Sequence, residues 1–440
     1  MPDLSPVSVE ASALSVAALS QTAASEAGGI AGASSRVPEA AGRPETIYLD
    51  HLASTPCDPE AAALMHRVAV ELSGNPSSPH ASGQLAARYV ERAREQVADA
   101  VNALPEEVVF TSGATESNNL AILGVAAAAR ERDERRRRLL TLGIEHPSVL
   151  GPFAALGRRG YEVESVPLQR DGRVDLNALE GMLEGALLLS IQAANNETGT
   201  IQPLYEASPM AAERGVLVHS DAAQILGKVL FSVEGANLDF VSLSAHKCYG
   251  PKGVGALCIR GGVASAPLAP IVFGGGHENG VRPGTLNTPA IAAFGLAAEL
   301  ATERLEADGL RIGALRDDLE ARLIEELGDR VRVNGAIESR LPHATSLTFF
   351  DDAGCPLDAD ALVANLPEFD LSTASACHVG TPEPSHVLRA IGVSQAEAYG
   401  TLRVGLGRGN VDADTGRLSA RLGEVTRTLQ RRNRIKAKAP

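Results

Sequence analysis

From Tyr48 onward, short apolar runs rich in β-branched residues alternate with longer segments of Ala, Glu, Arg and Leu that have helical character. The runs lie at 108–111, 139–144, 162–166, 187–191, 216–219, 240–243 and 256–259. Alternation of this kind predicts an α/β fold, with a mixed, mostly parallel sheet covered by helices on both faces. Ligands of such sheets collect at strand ends, and polar clusters stand at these ends. Thr111-Ser112-Gly113-Ala114-Thr115 follows the first run, Glu145-His146 the second and Asn195-Asn196-Glu197 the fourth. Asp221 follows the fifth run and Ser244-Ala245-His246-Lys247 the sixth. From about residue 300 the pattern changes to long helical stretches over 300–327, mixed segments, a Pro- and Gly-punctuated loop at 377–384 and a last helix over 414–432. The expected organisation is a large domain over 61–300 and a smaller α+β domain over 301–432 to which residues 45–60 contribute, followed by a tail at 433–440.

At 440 residues and 44% hydrophobic content, the chain has ample material for a buried core. Its net charge of -14 argues against a nucleic-acid surface, because a phosphate backbone attracts a basic face. The one basic run, Arg135-Arg136-Arg137-Arg138, follows Glu131, Asp133 and Glu134 and reads as a solvated helix end. Cys57, Cys248, Cys258, Cys355 and Cys377 lack CxxC spacing, and their odd number leaves at least one free thiol, which fits a reducing, cytoplasmic setting. Residues 1–44 are rich in Ala, Ser, Gly and Glu, with Arg36 and Arg43 as the basic residues. They match neither a signal peptide nor an Arg-rich transit peptide and read as a disordered extension. No stretch of about 20 apolar residues predicts a membrane span.

Lysine is scarce: Lys228, Lys247, Lys252, Lys436 and Lys438 are the complete set. A Schiff base to pyridoxal phosphate requires a primary amine, which a guanidinium cannot replace. Lys247 follows an apolar strand and is flanked by Ser244, His246 and the turn Gly250-Pro251, although alone it also reads as a surface lysine. Asp221 stands where a carboxylate can pair with a protonated pyridine nitrogen, or where it can cap a helix beginning at Ala222. Gln224 is a candidate contact for a phenolate oxygen, and His146 for the ring face. Gly113-Ala114-Thr115 is expected to open a helix whose N–H groups and dipole favour a phosphate. Thr115, Ser244 and His246 would add donors. Cys377 opens the segment His378-Val379-Gly380-Thr381-Pro382-Glu383-Pro384, too punctuated for a helix. Its thiol is expected on an exposed loop, where a charged His378 would favour the thiolate.

A series of motifs runs in order along the chain: Tyr48-Leu49-Asp50, Gly74-Asn75-Pro76-Ser77-Ser78, Thr111-Ser112-Gly113-Ala114-Thr115-Glu116-Ser117-Asn118-Asn119 and Glu145-His146. Asn195-Asn196-Glu197-Thr198-Gly199, Ser220-Asp221-Ala222-Ala223-Gln224, Ser244-Ala245-His246-Lys247, Arg282-Pro283-Gly284-Thr285, Ser375-Ala376-Cys377 and Arg403-Val404-Gly405 continue it. Together they resemble the class V aminotransferase group and, within it, the cysteine desulfurases and selenocysteine lyases, from about Ile47 to about Asn410. The resemblance implies the pyridoxal-phosphate-dependent transferase fold type I, with a seven-stranded sheet in the large domain, and a homodimer with active sites between subunits. It implies Lys247 as the Schiff-base lysine, Asp221 as partner of the pyridine nitrogen, Gln224 as phenolate contact and His146 as ring stacker and catalytic residue. Ala114, Thr115, Ser244 and His246 would hold the phosphate, joined by Thr285 of the other subunit, while Asn196 and Arg403 would receive the substrate carboxylate. Cys377 would take sulfur from L-cysteine, giving L-alanine and a persulfide for acceptor proteins, as in sulfur metabolism and iron–sulfur cluster assembly.

Two departures stand out. His51-Leu52-Ala53-Ser54-Thr55 replaces the family's usual Tyr-Ser/Asn-Ala-Thr-Thr run, so that tyrosine's contact is not carried over. The Cys377-His378 pair is similar to selenocysteine lyases, which leaves L-selenocysteine as an alternative substrate. An ordinary pyridoxal-phosphate aminotransferase and a non-catalytic sulfur-assembly scaffold are the further alternatives.

Overall fold

The strands of the computed structural model end within two residues of the apolar runs. It describes residues 46–373 and 384–438, with side chains as far as Arg431. A two-residue strand, β1 (Ile47–Tyr48), precedes β2 (Val108–Thr111), β3 (Arg138–Leu142), β4 (Glu162–Val166) and β5 (Ala186–Ser190). Then come β6 (Leu217–Asp221), β7 (Phe240–Ser244) and β8 (Gly255–Ile259). The seven strands β2 to β8 form one sheet in the order β2-β8-β7-β6-β5-β3-β4. β8 is antiparallel to both neighbours, and every other neighbouring pair is parallel.

Successive side chains of a strand point to opposite faces, so each fully buried strand serves two cores. Leu139, Leu188, Phe240 and Leu257 pack on one face with Leu120 and Val125 of the helix Ala114–Glu131. Leu140, Leu189, Val241 and Cys258 pack on the other with Val97 of Ala81–Val101 and Phe294 of Thr288–Glu303. Full burial of one such Leu or Phe contributes roughly 1.5–3 kcal/mol.

A second sheet is built from β9 (Val331–Val333), β10 (Ala344–Phe349), β12 (Ser372–Thr373) and β13 (Thr401–Gly405), while β11 (Phe369–Asp370) pairs with β1. Its order is β12-β13-β10-β9, antiparallel throughout. Leu347, Phe349, Leu402 and Val404 pack there against Leu319 and Leu323 of the helix Leu305–Leu327 and Leu418 and Leu422 of Asp412–Lys438. β1 runs parallel to β11, and Leu49 enters the same core. From there the chain turns toward the large sheet, where Thr55 N–H donates to His246 O at 2.8 Å. The described residues form one compact unit.

The helical stretches over 300–327 belong to two helices, Thr288–Glu303 and Leu305–Leu327, which meet at Arg304, while two other local expectations need correction. The Arg304 guanidinium there binds Asp58 Oδ2 at 2.9 Å. The arginine run is not a helix end: the helix Ala114–Glu131 stops before it, and Arg138 is already in β3. Arg136 donates to the Gly215 carbonyl at 2.6 Å, and Arg138 pairs with Glu164 at 2.5 Å. These arginines fasten the sheet's margin. The last helix runs Asp412–Lys438 and takes in most of the expected tail. No helix among the described residues is long and apolar enough to cross a membrane. Residues 1–44 lie outside the described residues.

Candidate active site

A cavity of about 600 Å³ opens where β2, β6 and β7 end. Ala114, Thr115, His146, Asn196, Asp221, Gln224, Ser244, His246, Lys247 and Arg403 all line it. Thr285 is exposed and does not line this cavity of its own chain. Cys377 and its loop as far as 383 lie outside the described residues.

Lys247 ends the short turn Ala245–Lys247 that follows β7 directly. Its Nζ donates to the carbonyls of Leu52 at 2.6 Å and Ala53 at 2.9 Å. Burial, helped by Arg403, pushes this amine down to about 8, while Asp221 and Asp50 oppose the shift. A buried ammonium loses hydration that two carbonyls replace only in part. The turn is fixed from outside, since Thr55 Oγ1 donates to the His246 carbonyl at 2.9 Å and accepts the Tyr249 N–H at 2.8 Å.

Asp221 is the last residue of β6, which aims its carboxylate at the sheet's ligand end. No helix begins at Ala222: the chain continues as a turn, so the helix-cap alternative falls away. One oxygen, Oδ1, accepts the Ala223 N–H at 3.0 Å, and Oδ2 accepts Asn118 Nδ2 at 2.7 Å. Gln224 Nε2 donates to the Leu52 carbonyl at 2.9 Å, sharing that acceptor with Lys247. His146 is the N-cap of the helix Pro147–Gly157. Its basicity is lowered chiefly by burial, with Asp221 acting against the shift.

Gly113 begins the helix Ala114–Glu131 at φ +147°, a conformation that favours glycine. It brings no side chain to the first-turn N–H groups, which have no intrahelical partner. The helix dipole and those donors suit a phosphate. His246 stands beside Ser54, with 3.2 Å between Nδ1 and Oγ, and its ring is pushed down to about 4 by burial and then by Lys247 and Lys252.

Arg403 arrives from the second sheet on β13. One terminal nitrogen pairs with Asp50 Oδ1 at 2.8 Å and the other donates to the Asn196 carbonyl at 3.2 Å. Its Nε is buried with no protein partner, an unused donor suited to an anion. Among the described residues, no group of three or more His, Cys, Asp or Glu could hold a metal ion.

His51 is buried behind the site and does not line the cavity. Its ring fills the space over Gly407, where an added Cβ would lie 2.2 Å from Cε1. The substitution in the usual aromatic run is therefore absorbed in the packing behind the cavity.

Sequence reading missed Asn118 and Ser148 as functional partners. Asn118 lies three and four residues beyond Thr115 and Ala114, one helical turn along the same face. That spacing was the available signal. Ser148, two residues after His146, had only the tendency of serine to bond locally at a helix start.

A buried amine, an anchored carboxylate, an imidazole and an uncapped helix N-terminus share this cavity. The set fits pyridoxal phosphate in kind: an amine for the aldehyde, a carboxylate for the ring nitrogen, an imidazole for the ring face and free N–H donors for the phosphate.

The class-V aminotransferase family profile matches residues 47–418. A protein from Anaeromyxobacter dehalogenans (strain 2CP-C) named "Cysteine desulfurase IscS" is 41% identical over 386 residues, which cover 87% of this chain and 93% of that relative. A solved structure named "NIFS-LIKE PROTEIN" superposes with a TM-score of 0.79 at 35% identity, over 87% of this chain and 100% of that one. Another, titled "SspA in complex with cysteine", gives a TM-score of 0.71 at 35% identity, over 82% of this chain and 99% of that one.

Proposed function

The chain belongs to the class-V aminotransferase family and, within it, to the cysteine desulfurases; from this premise we propose how its residues remove sulfur from L-cysteine with pyridoxal phosphate as cofactor. The observation that carries the reading is the placement of Lys247, whose buried amine of lowered basicity shares one cavity with Asp221 and His146. The solved relative with bound cysteine supports L-cysteine as the substrate. Pyridoxal phosphate supplies an electron sink for the pair left when a substrate Cα proton departs.

Lys247 would hold the cofactor through its amine and, as a neutral amine, would take the substrate Cα proton. The Leu52 and Ala53 carbonyls give the released amine a fixed resting position. Asp221 favours a proton on the ring nitrogen, and Asn118 keeps the carboxylate in place. Ala114, Thr115, Ser244 and His246 would hold the phosphate, Gln224 the phenolate oxygen and His146 the ring face. Arg403 receives the substrate carboxylate through its free Nε, and Asn196, tied to the same guanidinium, frames that end. The Cys377 thiolate attacks the substrate sulfur: an S–S bond forms as the substrate Cβ–S bond breaks. Alanine leaves after Cβ gains a proton and Cα regains the one that Lys247 took, and Cys377 keeps a persulfide for an acceptor protein.

Thr285, exposed and away from its own cavity, serves the phosphate site of a second copy in a homodimer. Residues 61–300 act as the cofactor domain, and 301–432 with 45–60 as the smaller domain bearing the nucleophile. The free cysteines Cys57, Cys248, Cys258 and Cys355 fit a reducing cytoplasm.

The test incubates purified holoenzyme with L-cysteine and, separately, with L-selenocysteine, measuring alanine together with sulfide or selenide. Alanine and sulfide from L-cysteine, lost in Cys377→Ser, are expected. No alanine from L-cysteine would overturn the assignment.

A further inference from the structure

Asp221, Asn118, Ser148 and His146 form one hydrogen-bonded chain beside the cavity. Asn118 Nδ2 donates to Asp221 Oδ2 at 2.7 Å and to Ser148 Oγ at 2.8 Å. Ser148 Oγ stands 2.7 Å from His146 Nδ1, and the Ser148 backbone N–H donates to the same nitrogen at 3.1 Å.

The direction of every bond follows from the chemistry of its ends. A carboxylate only accepts, so the amide nitrogen of Asn118, not its oxygen, faces Asp221. The second proton of that NH₂ group goes to Ser148 Oγ, and the hydroxyl proton is left for His146. A backbone N–H can only donate. His146 Nδ1 therefore accepts twice and carries no proton. A neutral imidazole holds one N–H, so its proton sits on Nε2.

We propose that Asn118 and Ser148 are positioning residues that couple Asp221 to His146 and hold His146 as the neutral Nε2–H tautomer. The proposal rests on reading the cavity as the cofactor site, but the tautomer is a property of the protein alone. A proton on Nδ1 would oppose the Ser148 N–H and force the hydroxyl to turn away, breaking its bond to the ring. The titratable groups facing His146 are Asp221 at the end of β6, Lys247 in the turn after β7 and His386 in the helix His386–Ala390. Asp221 favours a charged ring, whereas Lys247, His386 and burial oppose it. Ser148 and Asn118 add a directional preference that none of those fields supplies. His146 consequently meets a bound molecule as an N–H donor through Nε2. Asn118 Oδ1 is buried without a protein partner, so the two donated bonds alone orient this amide. Loss of the Ser148 hydroxyl is therefore felt at Asp221 as well.

The test is magnetic resonance of holoenzyme carrying nitrogen-labelled histidine, in which proton–nitrogen couplings show which ring nitrogen holds the proton. His146→Asn identifies the signal. The wild type is expected to show the Nε2–H form wherever the ring is neutral, with its protonation midpoint below the usual imidazole range. Ser148→Ala is expected to mix the two tautomers and raise the midpoint of ring protonation. It should also lower kcat about two- to ten-fold with little change in KM, the size of one lost hydrogen bond. Ser148→Thr retains the hydroxyl and should keep the wild-type signal. Asn118→Leu should also move the pH midpoint of the cofactor absorbance, because Asp221 loses its anchor. A wild-type proton on Nδ1, or a Ser148→Ala signal and pH profile like the wild type, would overturn the proposal. Failure to bind pyridoxal phosphate would sink the cofactor reading alone, since the same signal can be read in cofactor-free protein.

Discussion

Among the described residues, Lys247 and Lys228 both lose basicity to burial, and the turns that carry them differ in what the amine faces. Burial pushes both Lys247 and Lys228 down to about 8. Lys247 lines the open cavity, with its amine on two carbonyls. Lys228, in the connection between β6 and β7, lies 4.3 Å over the Tyr249 ring, which Arg408 also contacts at 4.1 Å. Lys228 does not line the cavity. Burial and lowered basicity therefore do not suffice to make a reactive lysine. Open space before the amine, with Asp221 lining the same space, separates the two environments.

The largest expected effect tests that contrast directly. Lys247→Ala should abolish the lysine-bound cofactor absorbance and cut alanine formation by roughly 10³-fold or more, through loss of both attachment and general base. Lys228→Met should retain the absorbance. Spectra and alanine assays of the purified variants decide it, and absorbance persisting in Lys247→Ala would move the attachment to another amine.

Asp221→Ala should be next, at roughly 10²-fold in kcat, comparable with removing one partner of a buried charge pair. Retained kcat would mean that a carboxylate in this cavity is not what distinguishes the Lys247 environment.

The pH dependence sharpens the comparison further. Only the neutral amine attacks an aldehyde, so pyridoxal phosphate capture by cofactor-free protein should rise with pH to a midpoint near 8. Below that midpoint the rate should fall about ten-fold per pH unit. A midpoint at the ordinary 10.5 would show that the cavity does not perturb Lys247.

The smallest effect belongs to Lys228. Its folded-state pKa lies below the ordinary 10.5, so the associated stability is present above 10.5 and is lost as pH falls toward 8. At neutral pH, Lys228→Met should raise stability by about 1–2 kcal/mol, after discounting the lost ring contact. Denaturant midpoints measure this, and destabilisation would mean that the Tyr249 contact outweighs the burial penalty.

Much of this contrast was legible in the residues. Lysine scarcity and its position after an apolar run singled out Lys247, and the same rule of strand ends picked Asp221 and His146. Lys228 was an equal candidate by type, with nothing local to mark it as sealed away. Asp221 was equally a helix cap until the following turn showed no helix. The partner of Arg304 at the helix junction, Asp58, was hidden because it is 246 residues away in the chain. Cys377, chosen for its residue type and motif, lies outside the described residues.

By itself, the sequence determined the strands of the large sheet and the polar residues at their ligand ends, because periodicity and composition are local properties. Only the tertiary structure decided which buried amine meets an open cavity. It also brought Arg403 and Asn118 to the neighbourhood of Asp221. The reason is distance along the chain: Asn118 and Asp221 are 103 residues apart, and Lys247 and the Leu52 carbonyl are 195 apart. Contacts of that range depend on how the strands cross over and how the two sheets pack, which no local pattern encodes.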